Sequence, residues 1–201
     1  MKHLVVALSG ASGVCYGVRL LRVLVTQGHR VTLAVSKGGA RVLEIEEGIR
    51  VDPQAPDPAV LLGPEVPLDG VRALALDDIA AGVCSGTHPV DGMIVCPCSM
   101  GTLARIVQGT SSNVLERAAD VMFKEGRPLV LVPREAPLSR IHLENLLRAH
   151  DAGATIVPAS PGFYHRPDSI EGLVDQVITK VLDRVGIDAG LIRRWKTSPG
   201  P

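Results

Sequence analysis

Four stretches of this chain carry residues suited to holding an anion, and they recur at one kind of place. The stretch Val95–Gln108 continues an apolar run, Met93-Ile94-Val95-Cys96. It passes through Pro97, Ser99, Gly101 and Thr102 into a helical run of Leu103, Ile106 and Val107. A strand that ends in hydroxyl and glycine residues and turns into a helix leaves free backbone N–H groups at the helix start. With the helix dipole these groups favour an anion. Ser9-Gly10-Ala11-Ser12-Gly13 follows the first apolar run in the same way, Ser36-Lys37-Gly38 follows the second, and Arg134-Glu135 follows Leu129–Val132 and Pro133. In open α/β sheets, ligands bind at the carboxyl ends of the strands. The glycine spacing, Gly10 to Gly13 to Gly17, departs from the dinucleotide fingerprint, and no acid ends the second strand. Two hydroxyl-bearing loops therefore suit a mononucleotide phosphate or a flavin better than NAD. Each stretch also has a plainer account: Ser99 as an N-cap, the glycine loop as a turn without ligand, Arg134 and Glu135 as a surface ion pair.

The frame that positions these residues is readable as alternating short apolar runs and periodic segments. Leu4–Leu8 reads as a strand buried on both faces, followed by a helix from Val14 to Gln27 with Gly28 as its C′ residue, and His29–Val35 as the second strand. Ala40–Glu47 reads as a short helix. The five prolines between Val51 and Pro67 predict a loop or excursion. Val71–Leu76 is the third expected strand, Asp77–Gly82 a helical turn, and Ser85–Pro89 a loop in which His88 is solvated. Gly92–Cys96 is the fourth strand, halted by Pro97, which has no N–H to give the ladder. Asn113 with Glu116 resembles a capping box for a helix over Val114–Glu125, with Val114, Ala118, Val121 and Met122 buried. Leu129–Val132 is the fifth strand. Pro137 and Ser139 start a helix with Leu138, Ile141, Leu146 and Leu147 inward, and Thr155–Val157 is a short sixth strand. The last helix carries Ile170, Leu173, Val174, Val177, Ile178, Val181, Leu182 and Val185 as its stripe, with Lys180 at the stripe's edge.

This alternation predicts an α/β fold: three layers, Rossmann-like or flavodoxin-like, with a mostly parallel sheet. One domain is expected over residues 1–185, with a tail over 186–201 packing on that domain or on a neighbouring subunit. With 201 residues, 46% of them hydrophobic, the chain is long enough for one full core. Its 21 acidic and 21 basic residues give no electrostatic case for nucleic acid or an anionic membrane surface. No apolar run reaches the ~18 residues of a membrane span. The opening MKHLVVALSGASG looks superficially like a signal peptide, but its glycine turn and following helix fit a first buried strand, so a cytoplasmic protein is expected. The spacing of Cys15, Cys84, Cys96 and Cys98 is not a zinc pattern; reduced thiols and no metal are expected. Aromatic residues are 2% of the chain, so the core must be aliphatic, and Trp195 in the tail is expected to pack on something.

CPCSMGTLARI (96–106), LVLVPRE (129–135) and FYHRP (163–167), in this order and with Ser9–Gly13 and Ser36-Lys37 before them, resemble the flavin prenyltransferases of the UbiX/Pad1 family over nearly the whole chain. Proteins of this kind have also been called 3-octaprenyl-4-hydroxybenzoate carboxy-lyases, a name from ubiquinone biosynthesis. The resemblance implies transfer of a dimethylallyl group from dimethylallyl phosphate to N5 and C6 of reduced FMN, without metal. The prenylated FMN would then serve a UbiD-type decarboxylase. It also implies a trimer-based homo-oligomer, a dodecamer, whose active site draws residues from neighbouring chains. By resemblance, Gly10, Ala11 and Ser12 form the first flavin loop, Ser36 a second contact, Ser99, Met100, Gly101 and Thr102 the phosphate-side turn, and Arg134 a further flavin contact. Lys124, Tyr164 and Lys180 match the positions that hold the prenyl phosphate. Ser12, Glu46 and Glu135 match catalytic positions, with Glu47 the neighbouring candidate for Glu46, and Trp195 matches a residue near the substrate. These types suit the chemistry: cations stabilise a departing allylic phosphate, and a carboxyl can relay its proton. Two other readings share the fold or the ligand. An FMN-dependent cysteine decarboxylase would carry a PxMNxxMW motif, which is missing here. A non-catalytic flavin carrier would leave the lysines, Arg134 and Glu135 unexplained.

Overall fold

The structure is a computed structural model, and it describes residues 1–193. Six strands form one all-parallel sheet: β1 (His3–Leu8), β2 (Arg30–Val35), β3 (Val71–Ala73), β4 (Gly92–Cys98), β5 (Leu129–Pro133) and β6 (Thr155–Ile156). Their order across the sheet is β3-β2-β1-β4-β5-β6. This is the Rossmann order, with its topological switch between β1 and β4, where ligands gather in such sheets. Two helical layers cover the sheet. One holds α1 (Val14–Thr26), α2 (Lys37–Glu47), α3 (Pro58–Leu62) and α7 (Ile170–Arg184); the other holds α4 (Met100–Gln108), α5 (Val114–Lys124) and α6 (Arg140–Asp151). Alternation in β1 serves both cores: Leu4, Val6 and Leu8 face the α1/α7 side, Val5 and Ala7 the α4/α5 side.

Close contact between α1 and the sheet rests on Gly17. A Cβ there would lie 2.3 Å from the backbone oxygen of Cys96, a contact that no rotamer change relieves. Gly17→Ala is therefore expected to push α1 off β4 and destabilise the fold by roughly 1–3 kcal/mol. Thermal unfolding should show it as a fall in Tm of about 2–4 °C for each kcal/mol; an unchanged Tm would show that α1 has room to shift. A half-buried ion pair ties the same helix to α7: Arg19 donates to both carboxylate oxygens of Asp175 (2.7 and 2.9 Å) and lies 3.2 Å from Glu171.

Several expectations are corrected. Strand β4 does not stop before Pro97 but continues to Cys98, with a register shift between Val95 and Cys98. A bulge is where a sheet tolerates a residue without an N–H, and the Pro97 carbonyl still accepts from Ser9. Pro133 likewise belongs to β5 and pairs with Cys98. The proline-rich stretch contains α3, opened by Asp57, whose side chain accepts from the Ala59 amide, and by Pro58 in the first turn. Leu61 and Leu62 of this helix are buried. The third strand ends at Ala73, and Gly82–Cys84 forms a 3-10 turn.

The largest difference from expectation is at α6. Leu138, Ile141 and Leu147, expected inward, are 42%, 67% and 60% exposed, and Ile170 at the start of α7 is 79% exposed. In α6, Asn145 and Ala149 are the buried residues, because the helix packs against α4 and β6 on one side and its other faces stay open. Cys96 and Cys98 are both fully buried but belong to opposite cores, so they cannot bond to each other, and all four cysteines are free. Burial pushes the Cys98 thiol up to about 12, and raises that of Cys96 as well. After α7, Ile187 is buried and Ala189 accepts from Gln27 at 3.1 Å, so the chain just past residue 185 packs on its own domain. Trp195 lies outside the described residues.

Candidate active site

At the switch point, Ser9 welds β1 to the turn between β4 and α4. Its buried hydroxyl donates to the Pro97 carbonyl (3.0 Å) and accepts from the Ser99 amide (2.8 Å). Ser99 then caps α4, its hydroxyl oxygen accepting from the Thr102 amide at 3.2 Å. Ser36 caps α2 by accepting from the Gly39 amide at 2.9 Å, and Asn113 caps α5 by accepting from the Glu116 amide at 3.0 Å. All three caps line one cavity of about 380 Å³, together with Gly10, Lys37, Thr102 and Arg105. Three helix dipoles therefore point their positive ends at one space that also holds a lysine and an arginine, an arrangement built for a doubly charged anion. The first loop can approach closely because Gly10 lies against Gly38; a Cβ on Gly10 would sit 2.9 Å from the Gly38 Cα.

The expected capping box at α5 is not formed. The Glu116 side chain does not return to the Asn113 amide; it takes the Ser112 amide (2.9 Å), the Ser112 hydroxyl (2.8 Å) and the Arg105 guanidinium. Arg105, Ser112 and Glu116 are lining residues that the sequence motifs alone do not mark. Arg105 carried the better signal: it stands three residues after Thr102, on the same face of α4.

Beside the cavity, Ser12 and Glu46 form a second cluster. Gly13, at the N-cap of α1, is in the left-handed region with φ 92° and brings no side chain of its own. Glu46 of α2 serves instead, accepting from the Gly13 amide (2.9 Å) and the Val14 amide (3.0 Å). Burial works against its charged form, but hydrogen bonds from the Ser12 hydroxyl and those two amides, with the Arg134 charge, hold its carboxyl below the usual carboxylate range. Glu46, not Glu47, occupies this position. A carboxyl depressed by folding stabilises above its unfolded value near 4.5, and that stabilisation is lost as pH falls through the folded value. Glu46→Gln is therefore expected to lower stability at neutral pH and to flatten the acid side of the stability–pH curve. Urea unfolding at pH 7 and pH 4 measures it; parallel curves for variant and wild type would exclude the cap.

Arg134 and Glu135 are exposed at the carboxyl end of β5 and line a cavity of about 420 Å³ with Leu138, Pro158 and Ser160. They do not pair with each other among the described ion pairs; Glu135 accepts from the Ala136 amide at 3.1 Å. Tyr164 and Lys180 line a third cavity, of about 480 Å³, with His165, Gln176, Thr179 and Asp183. Lys124 is not with them. It ends α5, in the opposite helical layer, where it pairs with Glu125 beside Gly86. Among the described residues, no cluster of His, Cys, Asp or Glu is placed to hold a metal, and no helix is long and apolar enough to cross a membrane.

The Flavoprotein family profile matches residues 1–186. A flavin prenyltransferase UbiX of Pseudomonas aeruginosa is 42% identical over 196 residues, 96% of this chain and 94% of that protein. This chain belongs to the UbiX/Pad1 family of flavin prenyltransferases. Two solved structures of similar proteins agree with its fold. AnUbiX (PadA1), in complex with FMN and dimethylallyl pyrophosphate, matches with a TM-score of 0.85 and 40% identity over 98% of this chain and 99% of that one. A dodecameric FMN-dependent UbiX-like decarboxylase from Escherichia coli O157:H7 matches with a TM-score of 0.83 and 41% identity, covering 96% and 99%. Family membership accords with the flavin expected from the two hydroxyl-bearing loops and with the parallel sheet that carries them.

Proposed function

We propose that this protein transfers a dimethylallyl group from dimethylallyl phosphate to N5 and C6 of reduced FMN, building a fourth ring on the flavin. The observation that carries the reading is the cavity where the caps of α2, α4 and α5 converge beside Lys37 and Arg105. It suits the FMN phosphate, with the Gly10–Ser12 loop and Arg134 beside the rest of the flavin. Lys180, Tyr164 and Lys124 hold the prenyl phosphate. As the allylic C–O bond breaks, the two lysine charges and the Tyr164 hydroxyl stabilise the departing phosphate, and Glu135 relays the proton it takes up. Trp195 and the aromatic loop at Phe163 and Tyr164 wall the prenyl group, whose positive charge a π face tolerates.

The protein works as a homo-oligomer, a dodecamer assembled from trimers. Support comes from the apolar side chains a single chain leaves uncovered on α6, with Phe163 at 69% and Tyr164 at 87% exposure in a chain so poor in aromatics. It acts in the cytoplasm and supplies prenylated FMN to a UbiD-type decarboxylase. The test is mass spectrometry of the flavin after anaerobic incubation of the protein with reduced FMN and dimethylallyl phosphate, with the diphosphate in a parallel reaction. A flavin one isoprene unit heavier is expected from the monophosphate; unchanged FMN in both reactions would refute the activity.

A further inference from the structure

Glu116 is 1% exposed, the most deeply buried carboxylate among the described residues. Burial would push its carboxyl up, but hydrogen bonds from Arg105 and Ser112 and the guanidinium charge hold it below the usual range. A carboxylate kept ionised at such depth is costly, and an apolar residue would fill the space with less penalty. Its bonds account for its presence. One oxygen fixes Nε of Arg105; the other takes both the amide and the hydroxyl of Ser112. Arg105 is held a second time, its Nη2 donating to Thr102 Oγ1 at 3.3 Å, and Thr102 is itself tied to the Ser99 hydroxyl at 3.0 Å. The third nitrogen, Nη1, has no partner among the described residues and lies 3.6 Å from where a Cβ on Gly101 would stand, in the first turn of α4. Asp77, the other acid lining this cavity, is bonded to Gln54 at 2.9 Å.

We infer that Glu116 is a positioning residue for flavin recognition: from beneath the cavity it locks Arg105 and Ser112, so that the free edge of the guanidinium meets the flavin phosphate at the start of α4. This rests on the reading that the cavity takes the FMN phosphate. Arg105 alone is a long side chain with its head half in water, and ordering it on binding would cost affinity; Glu116 orders it beforehand.

Riboflavin, which lacks the phosphate, separates this role from a general structural one. Flavin fluorescence quenching gives the dissociation constants of FMN and riboflavin for the wild type, Glu116→Gln, Arg105→Gln and the double variant. Glu116→Gln is expected to weaken FMN by roughly 10- to 100-fold, the range of one charge-assisted hydrogen bond, and riboflavin by no more than about twofold. Arg105→Gln should match it, and the double variant should lose no more than either single one, because Glu116 acts through Arg105. Equal weakening of both flavins, wild-type FMN affinity, or additive losses in the double variant would each overturn the inference. A wild type that binds FMN no better than riboflavin would instead remove the phosphate reading, whatever the variants do. If Glu116→Gln does not fold, Glu116→Asp keeps the charge, shortens the reach by one methylene and faces the same outcomes.

Discussion

Glu135→Gln is expected to bind FMN at wild-type occupancy and to form prenylated flavin about 10²- to 10⁴-fold more slowly, the range of a general acid–base contribution, or roughly 3–5 kcal/mol of barrier. The expectation follows from where the side chain stands. Glu135 is exposed at the carboxyl end of β5 beside Arg134, and its one described bond is accepted from the neighbouring Ala136 amide. A glutamine oxygen can accept that same bond, so the loop keeps its shape while the group loses its proton. Glu135 does not line the cavity bounded by the three caps and Arg105, so on the proposed reading flavin binding and chemistry separate. The measurement is single-turnover formation of prenylated flavin under anaerobic conditions, with FMN occupancy established first. A wild-type rate would take Glu135 out of the mechanism, and loss of FMN would make it a structural neighbour of Arg134.

The second expectation concerns the lysines. Lys124→Met and Lys180→Met should each slow prenyl transfer by roughly 10²- to 10³-fold, the cost of removing one donor from a developing negative charge. Within one chain the two stand on helices of opposite layers, with the sheet between α5 and α7, and only Lys180 shares a cavity with Tyr164. One phosphate can meet both only if two chains contribute to a site. Co-assembly of equal amounts of the two variants should then restore activity to about a quarter of the wild-type value, because random pairing leaves that share of sites with both lysines intact. Mixed assemblies as inactive as their parents would refute a shared site.

Local order was legible in the chain itself. The helix starts at Ser99 and Asn113 and the glycine turn after β1 depend on contacts between near neighbours, and near neighbours are what a sequence displays, whereas α2 begins at Lys37 under a Ser36 cap, three residues before the expected Ala40. The anion-favouring character of the turns follows from the same local features, since a helix start leaves the first-turn amides that its cap does not take up without intrahelical partners wherever it stands.

What a sequence cannot display is which distant segments meet. That Ser9 stitches the Pro97 carbonyl to the Ser99 amide depends on β1 and β4 lying side by side across a crossover of more than eighty residues. The same dependence decides that Pro97 stays inside a strand, because the sheet tolerates it at a bulge. Glu46 caps a helix that begins thirty-two residues earlier, and Glu116 leaves its expected capping partner because Arg105 has been brought within reach. The apolar pattern of α6 was read correctly as a pattern and wrongly as a burial. Periodicity reveals that a helix has an apolar face but not what covers it, and in this chain the edge position of α6 beside β6 leaves much of that face open. The sequence by itself thus determined most of the strands and long helices, the caps at Ser99 and Asn113, and the kind of ligand such ends attract. Only the tertiary structure decided which caps share one cavity, which acid guards which arginine, and that Lys124 and Lys180 lie on opposite sides of the sheet, because each of these is a contact made across the chain and not along it.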